Sequence, residues 1–247
     1  MDSVDFYLYD LKTKFNKINP KDYYLSYSVG KDSHLLYWFI KEFAKIDGIK
    51  IVGINTYLEH EEIRKRMYEN SDIVLLPELK PFEIKEEFGI PCFSKAQDDI
   101  IYRYQKGCRK DYLLNKVYGN AKFIGKDGKE HLSYFNLNKK AREKLLSGEL
   151  HKVSSKCCEY LKKKPARKFE KESGLKAILG VRGTESNMRK GNYKSCFTKD
   201  KKFTPLWDLT NELEEQIYSK YSIEVPKIYD YVTRTGCMGC PYRKYES

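Results

Sequence analysis

Nothing in these 247 residues approaches the roughly 20 consecutive apolar residues of a membrane span. The opening Met1-Asp-Ser-Val-Asp-Phe6 lacks the basic-then-apolar pattern of a signal peptide. There is no internal repeat, no low-complexity linker and no G-x-x-x-x-G-K-[ST] phosphate loop. The cysteines do not form two C-x-x-C knuckles about 15–20 residues apart, the zinc-ribbon spacing. The first two absences argue against a membrane or secreted protein and for the cytoplasm. The third leaves one domain, 1–247, as the expectation. Seven cysteines without a leader then suit metal or redox use in a reducing compartment better than a disulfide scaffold.

What is present begins with those cysteines. Cys157-Cys158 form a vicinal pair, and after 78 intervening residues comes Cys237-Met-Gly-Cys240. Four thiolates suit a tetrahedral zinc site or an iron–sulfur cluster, and a vicinal pair leans toward the cluster. Four unrelated small apolar residues are the plainer alternative. Cys92, Cys108 and Cys196 read as structural. Cys108 lies beside Lys106, Arg109 and Lys110, cations that would lower its pKa.

A second motif, Ser28-Val-Gly-Lys-Asp-Ser33, follows an alternating strand pattern (Tyr23, Leu25, Tyr27). It precedes a helical one in which Leu35, Leu36, Phe39, Ile40 and Phe43 recur at helical spacing. A strand, a short turn and a helix N-terminus bring backbone N–H groups and the positive dipole end together, which suits phosphate. Lys31 adds a point charge, and Ser28 and Ser33 add hydroxyls.

This turn resembles the PP-loop (S-G-G-x-D-S) of the adenine nucleotide α-hydrolase superfamily. Joined to Cys157-Cys158 and Cys237-x-x-Cys240, it is similar to the phosphoadenylylsulfate/adenylylsulfate reductase family in its cluster-bearing form. Val52-Gly-Ile-Asn55-Thr56-Tyr-Leu-Glu59-His-Glu61-Glu62 resembles that family's second strand and its T-x-x-x-E turn. Gly180-Val-Arg182-Gly-Thr-Glu185-Ser186-Asn-Met-Arg189 resembles its G-x-R-x-x-[EQ]-S-x-x-R segment, and Pro205-Leu-Trp-Asp-Leu-Thr210 its P-L-x-x-W-T stretch. The resemblance runs from Asp22 to Pro241. It implies nucleotide binding by Ser28, Gly30, Lys31, Asp32, Ser33, Thr56, Glu59, Arg182 and Arg189, with Lys31 and Asp32 as catalytic candidates. It further implies a [4Fe-4S] cluster on Cys157, Cys158, Cys237 and Cys240, with Lys162 beside it. Asp32 is a candidate to help hold Mg²⁺.

Two positions depart from the family pattern. Val29 stands where the loop has its first glycine, and a β-branched residue disfavours positive φ. The family's reductases carry a nucleophilic cysteine beyond the C-x-x-C, whereas Pro241-Tyr-Arg-Lys-Tyr-Glu-Ser247 contains none. Thiol chemistry needs a thiolate.

The remaining sequence implies an α/β fold, a Rossmann-like parallel sheet with helices on both faces. Residues 1–20 read as a helical lead-in with Phe6, Leu8, Leu11, Phe15 and Ile18 on its apolar face, ended by Pro20. Strands are expected at 22–28, 49–55, 72–76 and 176–181, and helices at 32–46, 60–70 and 208–221, the last capped by Asp208 or Thr210. Gly107, Gly119, Gly125, Gly128 and Gly148, with polar and aromatic residues between, suggest a looped insert or lid with short helices over 83–156, and 157–247 forms the cysteine-bearing C-terminal segment.

The net charge of +12 is either a solvated basic face or a surface for phosphate-bearing partners. Seven lysines and Arg167 against Glu159 and Glu170 surround the vicinal cysteines between His151 and Lys171. The 21 tyrosines could stack nucleobases. Three functions are then open. The first acts at the α-phosphate of ATP with pyrophosphate release, in sulfur transfer to nucleic acid or a small molecule. The second is a reductase using a non-tail thiol, such as Cys108, and a thiol donor. The third is a nucleotide or redox sensor. A homo-oligomer is expected.

Overall fold

The computed structural model describes residues 2–185, 189, 191 and 193–242. Ser186, Asn187 and Met188 of the arginine motif and the tail 243–247 lie outside the described residues. In chain order the elements are α1 (Ser3–Phe15), β1 (Tyr23–Tyr27), α2 (Lys31–Trp38), β2 (Lys50–Ile54), α3 (Glu61–Asn70) and β3 (Ile73–Leu75). Then come α4 (Pro81–Phe88), α5 (Lys95–Gln105), α6 (Asp111–Tyr118), the hairpin β4–β5 (Lys122–Ile124, Glu130–Leu132) and α7 (Lys139–Leu146). Last are α8 (Lys164–Ser173), β6 (Lys176–Ile178) and α9 (Asn211–Lys220).

These elements form two compact units. The first comprises Met1–Asn55, Glu59–Leu76 and Pro165–Thr235, and the second Thr56–Leu58, Pro77–Lys164 and Gly236–Ser247. The stretch read as a looped insert with short helices, 83–156, lies in the second unit and carries the end of α4 together with α5, α6 and α7. Its core is its own, with Ile101, Leu113, Val117 and Ala141 fully buried.

The first unit holds a four-stranded sheet of order β3-β2-β1-β6, every pair parallel. Leu25 pairs with Ile51 on one side and Ile178 on the other. Both faces of β1 are covered. Leu25 and Tyr27 join the main core with α1 and α2, while Tyr24 packs with Val52 and Ala177 against Phe169 of α8. A parallel sheet needs this cover on both faces. The chain steps outward from β1 to β3 and returns through β6 on the other side of β1. That reversal creates a switch point between the C-terminal ends of β1 and β6, where such sheets bind ligands.

Local chemistry explains the boundaries, with three adjustments. Asp2 caps α1 by accepting from Asp5 N–H at 2.9 Å. Phe6, expected on the apolar face, is 63% exposed, and Val4 and Tyr7 take its place. Helix α2 leaves α-helical register after Trp38, continuing as a wide turn over Phe39–Phe43. Phe39 and Ile40 are both fully buried there, but Phe43 reaches the surface. Of the two expected caps for α9, Thr210 serves, accepting from Leu213 N–H at 3.2 Å. Among the described residues no helix is long and apolar enough to cross a membrane.

Candidate functional site

The Ser28–Ser33 turn sits at the switch point, in the first unit. Gly180, just beyond β6, makes the close approach possible. A Cβ there would lie 2.7 Å from Ser33 N and 2.8 Å from the Asp32 carbonyl carbon. Val29 adopts a φ of +62° and is fully buried in the main core. The β-branched residue therefore takes the left-handed backbone it disfavours, at a cost of order 1–3 kcal/mol.

The turn is heavily bonded within itself. Ser33 Oγ donates to Gly30 C=O at 2.9 Å and accepts from Ser28 N–H at 3.2 Å, with the two serine hydroxyls 3.1 Å apart. Lys31 N–H donates to Tyr229 OH at 2.9 Å, and Tyr218 OH donates to Lys31 C=O at 2.7 Å. The Lys31 ammonium lies 5.1 Å from the centre of the Tyr229 ring. Thr235 Oγ1 is 3.2 Å from the Tyr229 hydroxyl. Tyr229 is delivered by α3, where the Glu62 carboxylate accepts from Lys227 N–H and Ile228 N–H at 2.7 and 3.1 Å.

Around the turn lies a charged group that sequence reading identified only in part. Arg182 Nε is 2.6 Å from Asp32 Oδ1, an ion contact without hydrogen-bond alignment, since both atoms are otherwise unsatisfied. The same guanidinium donates to Asn211 Oδ1 at 2.7 Å and lies 3.2 Å from Glu214 Oε2. Burial, then the negative charge of Asp32, pushes the Glu214 carboxyl up to about 8. Burial, then the neighbouring Arg234 charge, lowers Arg189. Asp32 and Arg182 also act electrostatically on Arg189, so the two motif arginines share one neighbourhood with the turn. Arg182 is thus held by Asp32 and Glu214, while the side chain of Glu185 lies outside the described residues. Glu214, Tyr218 and Tyr229 are the residues the sequence reading missed. One signal existed for Glu214, a carboxylate on the same buried stripe of α9 as Ile217.

The second unit holds all four motif cysteines. They border one cavity of about 380 Å³, whose apolar wall includes Ile84, Ile90, Leu161 and Met238. Lys162 lines it as well. Thr56 is fully buried, with its hydroxyl 3.7 Å from Cys237 Sγ. Met238 N–H donates to Leu58 C=O at 2.7 Å, fixing the C-x-x-C loop. A proton shared with Cys157 brings Cys158 down to about 6, with Lys95, Lys162 and Lys163 assisting, while the same sharing and burial push Cys157 up. Among the described residues no group of three or more His, Cys, Asp or Glu is arranged to hold a metal ion. What the four thiols share is a cavity wall. Glu59 is buried and belongs to the first unit.

The other cysteines serve packing. Cys108 and Cys92 pack against the second unit's core and Cys196 against the main core. The basic neighbour Arg109 lies over the Tyr104 ring at 3.9 Å and donates to carbonyls of Tyr104 and Cys108. Asp98, fully buried, accepts from Cys92 N–H, Phe93 N–H and Tyr242 OH at 2.7, 3.0 and 2.6 Å.

No family model matches the chain, and no curated protein matches it in sequence. Solved structures do match. One is a phosphoadenylyl-sulfate reductase from Candida auris in a phosphate complex, 11% identical, with a TM-score of 0.51 over 94% of this chain and 88% of that one. The chain therefore has an α/β, Rossmann-like fold shared with that reductase structure.

Proposed function

We propose that the chain binds an adenine nucleotide at the Ser28–Ser33 turn and acts at the α-phosphate of ATP, releasing pyrophosphate, in a sulfur-transfer or nucleotide-modifying reaction. The observation that carries this reading is the turn's place. It lies at the sheet's switch point, at a helix N-terminus, beside Lys31, Arg182 and Arg189. In the reaction an acceptor oxygen forms a bond to the α-phosphorus, the bridging P–O bond to the β-phosphate breaks, and pyrophosphate leaves with that electron pair. Lys31 and the arginines oppose the charge that builds on the phosphate oxygens. Asp32, once a nucleotide draws Arg182 toward phosphate, is placed to help hold Mg²⁺.

In the same reading Cys157, Cys158, Cys237 and Cys240 hold a [4Fe-4S] cluster, with Lys162 offsetting its negative charge. A cluster spreads its four thiolates around a cube, so four cysteines bordering one cavity suit it. Bound there, the cluster would supply a site for sulfur ligation or electron storage. All seven cysteines are free thiols, which supports a reducing compartment such as the cytoplasm.

A reductase acting on adenylylsulfate or its 3′-phosphate is the second reading, favoured by the likeness to a reductase structure. It needs a mobile thiolate, and Cys92, Cys108 and Cys196 are packed instead. Two assays decide. Calorimetry should find adenine nucleotide bound below millimolar and weakened by Lys31→Ala, and ATP should yield pyrophosphate in a Lys31-dependent way. Sulfite released with thioredoxin as donor, and abolished by Cys108→Ser, would restore the reductase. Tight nucleotide binding with neither product would leave a sensor.

A further inference from the structure

The positive charge of the chain is concentrated. Between Arg103 and Lys144 there are twelve Lys and Arg against four Asp and Glu, a net +8 within a chain of net +12. This stretch carries the β4–β5 hairpin of the second unit, every residue of whose strands is exposed. A two-stranded hairpin is marginal alone, and this one is fastened at its base. Asn136 donates to the carbonyls of Gly119 and Ala121 and accepts from Ala121 N–H.

On this fastened hairpin stand aromatic rings that have no core to fill. Tyr134 is 88% exposed and Phe135 57%. Phe123 pairs with Tyr134 at 5.6 Å between ring centres, and Lys116 lies over Phe135 at 5.7 Å. Lys126 and Lys129 occupy the tip. Helix α7 follows and begins Lys139-Lys140, with no acidic residue in its first turn. Cations at a helix N-terminus oppose the dipole and weaken the helix. That placement becomes favourable when a polyanion lies against it.

We propose that the β4–β5 hairpin and the start of α7 bind single-stranded nucleic acid. Bases stack on Phe123, Tyr134 and Phe135, and the backbone phosphates lie along Lys126, Lys129 and Lys139-Lys140. A second copy of the chain is the less favoured occupant, because it would bring two +8 surfaces together. As the acceptor in the reaction proposed above, the strand rests on that reading. As a ligand it does not, because the surface lies wholly within the second unit.

Fluorescence anisotropy with labelled 20-mers of RNA and DNA, and with a duplex of one sequence, tests it on the full chain. Single strands should bind, tighter than the duplex, with affinity falling as salt rises by about 0.7 in log K per log unit for each phosphate neutralised. Tyr134→Ala with Phe135→Ala should weaken binding at least about fivefold. Tyr134→Phe should restore most of it. Lys126→Glu with Lys129→Glu should flatten the salt slope by about 1–2 units. Lys31→Ala should bind strands like the wild type, which separates this surface from the nucleotide site. Absence of binding at low salt overturns the proposal, as does unchanged affinity in the aromatic and tip variants. Self-association in sedimentation that the aromatic variant abolishes, without strand binding, assigns the surface to a second copy instead.

Discussion

The turn in the first unit and the cysteine cavity in the second are opposite kinds of site. At the turn, the backbone and hydroxyl groups are engaged, Lys31 N–H by Tyr229 and Ser28 by Ser33, and Asp32 meets Arg182 as an ion contact without a hydrogen bond. A ligand there must displace internal partners, so binding is an exchange of hydrogen bonds and its net gain is small per bond. The cavity is walled largely by apolar side chains, and in the proposed reading its affinity for a cluster comes from four sulfurs. The first site is tuned by competition within the protein, the second by the spacing of its sulfurs and the lysines beside them.

The sharpest break in that comparison comes from two glycines. Gly89 lines the cavity at φ +91°, and a Cβ there would lie 2.1 Å from Lys152 C=O. Gly89→Ala should cost roughly 3 kcal/mol or more in a denaturant melt and alter thiol reactivity at the cavity. Gly180→Ala, which meets the Asp32–Ser33 backbone, should cost about 1–3 kcal/mol and remove nucleotide binding while thiol reactivity stays unchanged. A larger loss for Gly180→Ala would show the turn, not the cavity wall, to be the less tolerant.

Next in size is the effect of thiol deletion. After anaerobic reconstitution, the wild type should hold about four iron and four sulfide per chain. Cys157→Ser and Cys240→Ser should lose them, and Cys92→Ser and Cys196→Ser should keep them. Stoichiometric zinc without sulfide would mean that the cavity closes around a single ion. Tyr229→Phe is a gentler test of competition at the turn. Removing the hydroxyl that occupies Lys31 N–H should raise adenine nucleotide affinity about fivefold by calorimetry. A loss of affinity would make the phenol a ligand-binding group instead.

The smallest effect concerns pH. His34, beside the turn on α2, is buried against Tyr37 and bonded at Nδ1 to Tyr27 OH at 3.0 Å. Burial pushes it down to about 4 from 6.5. Between those values the unfolded chain holds a proton that the folded chain rejects. Its contribution is therefore complete above pH 6.5 and is lost as pH falls toward 4. The wild type should lose about 2–4 °C more in Tm than His34→Gln on going from neutral to mildly acidic solution. Equal losses would place the titration elsewhere.

Much of the first unit was legible because its signals are local. Alternating Tyr23, Leu25 and Tyr27, the caps, and the Ser28–Ser33 turn each declare themselves within a few residues. What was not legible depends on distance along the chain. Tyr229 meets Lys31 across 198 positions and Glu214 meets Arg182 across 32, and no periodicity records such meetings. Thr56 likewise meets Cys237 across 181 positions. In the second unit the glycines pointed to loops and short helices without fixing their bounds, and Gly119, at φ +82°, ends helix α6. The exposed rings of the hairpin were visible only as composition until the fold placed them together.

Val29 carries a consequence for how a ligand meets the turn. A glycine at φ +62° would be relaxed but free to wander, and each capture would then have to immobilise it. The buried isopropyl group is wedged into the main core instead, so the backbone is frozen during folding, before any ligand arrives. The turn behaves like a die cut in advance. Its entropy of ordering is spent once, in the making of the protein, and not again at each encounter.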